Sequence, residues 1–433
     1  MWTTILLVVV GAPVALLMLL RLITAMGALS GHLAGDDRFH ELSKRRTAAN
    51  AHITVYWCFQ AAEERFATMA AEARQRFWDW VAKQPHLPVQ EGATKDVFAT
   101  ADAQIDPAIE DRHEAMLKAT SGLLNTNLPV QLITFPKPGA LAMTLDHTMV
   151  SGLTFARSMA YTLGDPENKG SRAFPVAWYF PIVSELALLW YMGRVAWSMA
   201  GWKALPSHPE NAGVSPDTVY YDFNIQSLKT DAMQGQPGTP PSTLALIAAH
   251  TMRGLLRSMR GGLDRPLRVG FSVAFAHSKI LHNNVGLIVI DVPATGADMT
   301  LPELAVLITR RVGKEKLQAW HANNFLKTIP SLPSTSYRSG VDVVFTTYPS
   351  PPADLFEPTE LSAVKVEVRE ITYPIYVNCI SYLERSFVSL VVNTPMVDVA
   401  LLRAEHSQGA AAQSGEESMA PKDADAYREL FGL

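Results

Sequence analysis

The sequence predicts a mixed α/β chain of two lobes, each with its own sheet, behind an N-terminal membrane-spanning helix. Three observations carry this. An uncharged apolar run, Ile5 to Leu20, opens the chain. Strand-like and amphipathic helical segments alternate on both sides of a Pro- and Gly-marked crossover at 203–238. The 433 residues, 48% hydrophobic and 18% charged, suffice for one large or two medium domains and are too polar for a multi-span membrane protein.

Residues 1–29 are read as the anchor. A helix needs ~20 residues to cross the hydrocarbon core, and Met1 to Leu20 supplies them. Leu22 to Leu29 extends the helix if Arg21 snorkels to the interface. A cleaved signal peptide is the rival reading. The missing basic n-region and the length of the apolar run favour the uncleaved anchor. Lys44-Arg45-Arg46 follows it, which predicts a body on the cytosolic or matrix side.

The first lobe is assigned to 50–202. Ile53 to Phe59 is rich in β-branched and aromatic residues and reads as a strand. Glu63 to Lys83 reads as a helix, with Phe66, Met69, Ala73, Phe77, Trp80 and Val81 forming one stripe. A loop leads to a helix over about Ile109–Leu124. Then come strand Val130–Phe135, turn Pro136–Gly139, strand Ala140–Leu145 and helix Leu153–Leu163, closed by Gly164. Residues 174–202 are rich in tryptophan and tyrosine. Two readings stand for them: an interfacial or re-entrant segment, or a buried helix with a lid.

The crossover holds one strand, Val219–Phe223. The second lobe, 239–403, has helices over Thr243–Arg260 and Leu301–Leu317. Its strands are Leu267–Phe275, Val285–Val292, Val341–Thr347, Ala363–Val368, Val377–Leu383 and Phe387–Asn393. Residues 404–433 read as a flexible tail, since 407–425 is rich in Gly, Ala, Ser and Glu.

Composition excludes several classes. A net charge of -4 predicts no nucleic-acid partner, because no basic excess can displace counterions from phosphates. The two cysteines, Cys58 and Cys379, lack metal-ligand spacing. Two buried free thiols are expected over a single bridge. A Gly-x-Ser-x-Gly nucleophile elbow is missing from the sequence, as is a phosphate-binding glycine loop.

The chemistry points to His147, in Asp146-His147-Thr148-Met149-Val150-Ser151-Gly152, at a strand-to-helix junction. A lone histidine is more often a packed or surface side chain. At such a junction, however, a neutral imidazole with a pKa of ~6.5 is poised to take a proton from an attacking hydroxyl. Gly152 suits the tight turn that aims the ring. Asp146 is a weaker candidate, since strand neighbours point to opposite faces. His250 reads as a packed helix residue, and His277 and His282 as loop histidines.

The stretch from Ile109 to Gly164 resembles the wax-ester synthase/diacylglycerol acyltransferase family and, more broadly, the chloramphenicol-acetyltransferase-like and plant BAHD acyltransferases. In these a helix, strand, turn and strand lead into His-x-x-x-Asp-Gly. Leu281-His282-Asn283-Asn284-Val285-Gly286-Leu287 is similar to the family's Gly-Asn segment. Asp342 to Pro352 is similar to its strand ending in a Pro-Gly-Pro loop, and Arg310-Arg311-Val312 lies on the helix between. The likeness runs over about 53–403. It implies a tunnel between two lobes, with His147 as general base and Gly152 as turn residue. Asn284, beside Asn283, becomes a polar group near the channel. Acyl-CoA is then a co-substrate, a lipid or alcohol the acceptor, and neither a cofactor nor a covalent acyl-enzyme is implied.

Two positions depart from the pattern. Ser151 stands where the family has a structural aspartate, and Pro240-Pro241-Ser242-Thr243 replaces an Asn-Asp pair. Ser242 or Thr243 can still cap the following helix. Two expectations therefore stand: a membrane-anchored O-acyltransferase, or an inactive relative serving as a structural or lipid-binding subunit of a membrane protein complex. A carrier-dependent condensation domain is a third, less supported reading.

Overall fold

The computed structural model describes residues 15, 52–83, 98–123, 130–146, 152–164, 202–208, 216–233, 241–274, 285–328, 341–349, 357, 360–368, 373–382 and 385–411. No helix among these is long and apolar enough to cross a membrane. The anchor (Ala15 apart) and the aromatic stretch up to 201 lie outside them.

Two sheets form the framework. Sheet 1 has the order β2-β3-β4-β1-β9, with β1 His52–Phe59, β2 Phe98–Asp102, β3 Val130–Phe135, β4 Ala140–Asp146 and β9 Leu361–Val368. Period-two alternation on β1 divides its side chains. Ile53, Val55, Trp57 and Phe59 join the core with helices α1 (Glu63–Ala82) and α3 (Gly152–Thr162). Tyr56 joins the smaller core on the other face, with Met116 of α2 (Arg112–Leu123). The stripe read on α1 is buried as expected at Phe66, Met69, Ala73, Phe77 and Trp80. The β3–β4 turn closes at Gly139, whose φ of 83° is left-handed and suits glycine.

Sheet 2 has the order β5-β11-β10-β8-β6-β7. Its strands are β5 Asp217–Asn224, β6 Leu267–Ala274, β7 Val285–Val292, β8 Val343–Pro349, β10 Ile375–Tyr382 and β11 Arg385–Val392. One face packs on helices α5 (Thr243–Arg257) and α6 (Leu301–Thr328). Ser242 caps α5, its hydroxyl accepting from Ala245 N at 3.3 Å. The other face meets sheet 1: Ile380, Tyr382 and Phe387 share a core with Val364 and Val366 of β9.

Four features depart from the sequence reading. The expected loop before α2 contains β2, an edge strand paired in parallel with β3. The crossover carries a helix, α4 (Ile225–Met233), after its strand. Helix α6 continues to Thr328 instead of ending near Leu317. The tail expected flexible from 404 is helical to Ala411, in α7 (Val399–Ala411), because Leu402 and His406 are buried docking residues. The two cysteines are free, as expected. Burial pushes the thiol of Cys58 up to about 11 and that of Cys379 to about 12.

Strand β9 ties the lobes. It lies in the stretch assigned to the second lobe, yet pairs antiparallel with β1, Ile53 opposite Val368. Its outer edge would present unpaired backbone groups. Side chains of β11 satisfy several of them: Ser389 Oγ accepts from Val366 N at 2.8 Å, and Arg385 donates to the carbonyls of Leu361 and Ser362 at 3.0 and 3.2 Å.

Candidate functional site

The His motif is bracketed by two well-packed elements. Strand β4 sits inside sheet 1 between β3 and β1, and its last residue, Asp146, pairs with His52. Helix α3 starts at Gly152 and buries Phe155, Met159 and Ser158. Ser158 Oγ donates to Phe155 O at 2.9 Å, and Thr162 Oγ1 to Ser158 O at 2.7 Å. His147 and Ser151 belong to the five residues between these elements, outside the described residues. Asn283 and Asn284 directly precede β7, also outside them, as do His277 and His282. Gly152 is the first residue of α3, at the junction the sequence predicted.

Beneath α3, Trp57, Leu132, Leu141, Met143, Met159, Thr162 and Leu163 line a cavity of about 10 Å³. That is roughly one water, far too small for an acyl chain.

The seam between the lobes holds a polar cluster that the sequence reading missed. His113 of α2, Tyr220 of β5 and Glu367 of β9 converge, with His113 Nε2 2.8 Å from Tyr220 Oη and 3.3 Å from Glu367 Oε1. Tyr220 donates its only hydroxyl proton to Glu367. His113 Nε2 is therefore the donor to both oxygens. Burial first, then the Glu367 carboxylate, pushes the Tyr220 phenol above its usual range. Lys365 Nζ lies 4.7 Å over the Tyr220 ring. These residues come from three separate segments of the chain, so no local spacing announced them.

A second cluster lies on the outer side of sheet 2. His250, read as a packed residue, is one: its Nε2 is 3.3 Å from His406 Nδ1. The His406 ring stacks on Tyr221 at 3.8 Å and 6°. Burial depresses His250 to about 4, helped by Arg253, and His406 to about 3, helped by His250.

A third cluster fixes the exit of the aromatic stretch. Asp342, fully buried, accepts from Leu205 N and Arg268 N at 2.9 Å each and from both terminal nitrogens of Arg265. The guanidinium carbons of Arg268 and Arg265 sit 3.7 and 4.3 Å from the Trp202 ring centre.

No family model and no curated protein sequence matches the chain. Solved structures do resemble it. Trichothecene 15-O-acetyltransferase from Fusarium sporotrichioides has a TM-score of 0.54 at 10% identity, over 92% of this chain and 94% of that one. The starter condensation domain of rhizomide synthetase, solved with C8-CoA and Leu-SNAC, has 0.52 at 12%, over 87% and 92%. Polyketide synthase associated protein 5 from Mycobacterium tuberculosis has 0.51 at 15%, over 88% and 98%. The chain therefore shares the two-lobed fold of these structures.

Proposed function

We propose that this chain is an acyl-CoA-dependent O-acyltransferase that moves a fatty acyl group to a lipid or long-chain alcohol. Its sequence motifs resemble those of the wax-ester synthase/diacylglycerol acyltransferases, and residues 1–29 hold it on a membrane with the body on the cytosolic or matrix side. His147 is the general base. It removes the acceptor's hydroxyl proton as the oxygen attacks the thioester carbonyl, and the thiol of CoA leaves. Acyl-CoA is a co-substrate; no separate cofactor takes part in the step. The observation that carries this reading is the strand-to-helix junction from Asp146 to Gly152, found within an acyltransferase fold. Asn283 and Asn284, ahead of β7, are proposed as polar groups bordering the channel.

Ser151 favours a second reading. A serine accepts a hydrogen bond but cannot form the ion pair that the family's aspartate makes. An inactive relative, kept as a lipid-binding or structural subunit of a membrane complex, would tolerate that loss. Full-length protein in detergent or vesicles, given decanoyl-CoA and hexadecanol, separates the two. The enzyme reading expects ester formation that falls about 10²- to 10⁴-fold in His147→Ala, the range of general-base contributions. Equal product from both proteins removes His147 as base. No product from the native chain, with stable co-purification of a larger complex, selects the inactive relative.

A further inference from the structure

Helix α3 is buried on almost every side. Between Phe155 and Leu163 only Arg157 and Tyr161 reach the surface, and both only partly. They stand four residues apart, so they share one outward stripe, with about 6 Å between their Cβ atoms. Arg157 is the anomaly on that stripe. Its Nε is shielded from solvent and has no hydrogen-bond partner among the described residues. Burial pushes the guanidinium below its usual pKa, and no carboxylate offsets the effect. A half-buried cation left in this way is costly.

The same stripe gathers further donors. Lys83, which closes the C-terminal end of α1, donates to Tyr161 Oη at 2.5 Å. Tyr161 therefore keeps its own hydroxyl proton to give, and the exposed Lys83 ammonium keeps two. Asp79, one turn before Lys83, accepts from Gln75 Nε2 at 2.9 Å. Two cations and a hydroxyl thus stand together, with no carboxylate hydrogen-bonded to them among the described residues. A ligand that answers this set brings negative charge and several acceptor oxygens, as a phosphate does. A neutral alcohol or an acyl chain brings neither charge nor that many acceptors. Trp78, in the last turns of α1, is 38% exposed. Tryptophan near cations is the pattern of a membrane–water interface, where the phosphates are those of lipid headgroups.

We propose that Arg157, Tyr161 and Lys83 bind the phosphate of a lipid headgroup on the outward side of α3. The site lies apart from His147 and is occupied whether or not acyl transfer takes place. Calorimetric titration of the full-length chain in a non-ionic detergent compares three probes. They are dihexanoyl phosphatidylglycerol, dihexanoylglycerol (which lacks the phosphate) and inorganic phosphate. The phosphatidylglycerol binds, and Arg157→Gln weakens that binding about tenfold. Lys83→Gln and Tyr161→Phe weaken it less, and dihexanoylglycerol binds all four chains alike. Without ligand, Arg157→Gln melts no lower than the native chain, because the change removes a charge that has no partner. Equal affinity for the phosphatidylglycerol in native and Arg157→Gln chains overturns the site, as does no binding to the native chain. A lower melting temperature with equal loss for both lipids marks a packing role and overturns it too. Inorganic phosphate bound as tightly as the phosphatidylglycerol shows a site for free phosphate and overturns the lipid assignment.

Discussion

Two buried histidine clusters, one in the seam between the lobes and one on the outside of sheet 2, use similar rings to opposite ends. In the seam, His113 and Tyr220 surround a carboxylate, Glu367. On the outside, His250, His406 and Tyr221 pack together without an acid in the hydrogen-bonded group. The seam cluster is directional: each contact needs a donor, an acceptor and three chain segments in place. The outer cluster is mainly a packing contact, in which the imidazoles act as flat, neutral rings. It fastens α7 over β5 and α5, and Gly254 makes room for it. The lesson is that burial alone does not give a histidine its role; the partner it is buried with does.

The largest expected effect comes from protonating the outer pair. Both imidazoles lie below the ordinary value of 6.5, at about 4 and about 3. The unfolded chain therefore binds more protons than the folded one between pH 6.5 and 4. The stabilisation is complete above pH 6.5 and is lost as pH falls toward 4. It is worth about 3 kcal/mol at least. Urea midpoints at both pH values measure it, and His406→Phe, which keeps a ring on Tyr221, is expected to weaken the dependence. An unchanged dependence would mean that the pair titrates normally.

Next comes Gly254→Leu. Even a Cβ at Gly254 would lie 2.8 Å from the His406 ring, so the larger side chain must displace α7. A loss of about 2 kcal/mol is expected, with earlier proteolysis of α7. Stability equal to the native chain would show that α7 docks only loosely.

The seam gives smaller, graded effects. Glu367→Ala removes the acceptor for both Tyr220 and His113 and costs about 2 kcal/mol. Tyr220→Phe removes one hydroxyl and costs about 1 kcal/mol. If the two single changes sum to the double change in a cycle, the cluster is not a cooperative network and the contrast with the outer cluster fails.

Much of this was legible locally. Period two in β1 and the three-to-four spacing in α1 follow from side-chain geometry within one segment, and the elements formed where those periods ran. Other parts were not. Phe98–Asp102 is short and carries two alanines, and it is a strand only because β3 offers an edge. The Ser-, Gly- and Ala-rich end of α7 has low intrinsic order, and its docking supplies the rest.

By itself, then, the sequence determined the two-lobe plan and the order of strand β4 and helix α3 on either side of residues 147–151. Those depend on neighbours in the chain. Tertiary structure decided that β9 joins sheet 1, that β11 side chains cover its edge, and which polar groups share the seam. These are pairings between separate elements, from Ser389 with Val366, 23 residues apart, to Tyr220 and His113 with Glu367, 147 and 254 apart, fixed by the hydrogen bonds that buried backbone and side-chain groups must find.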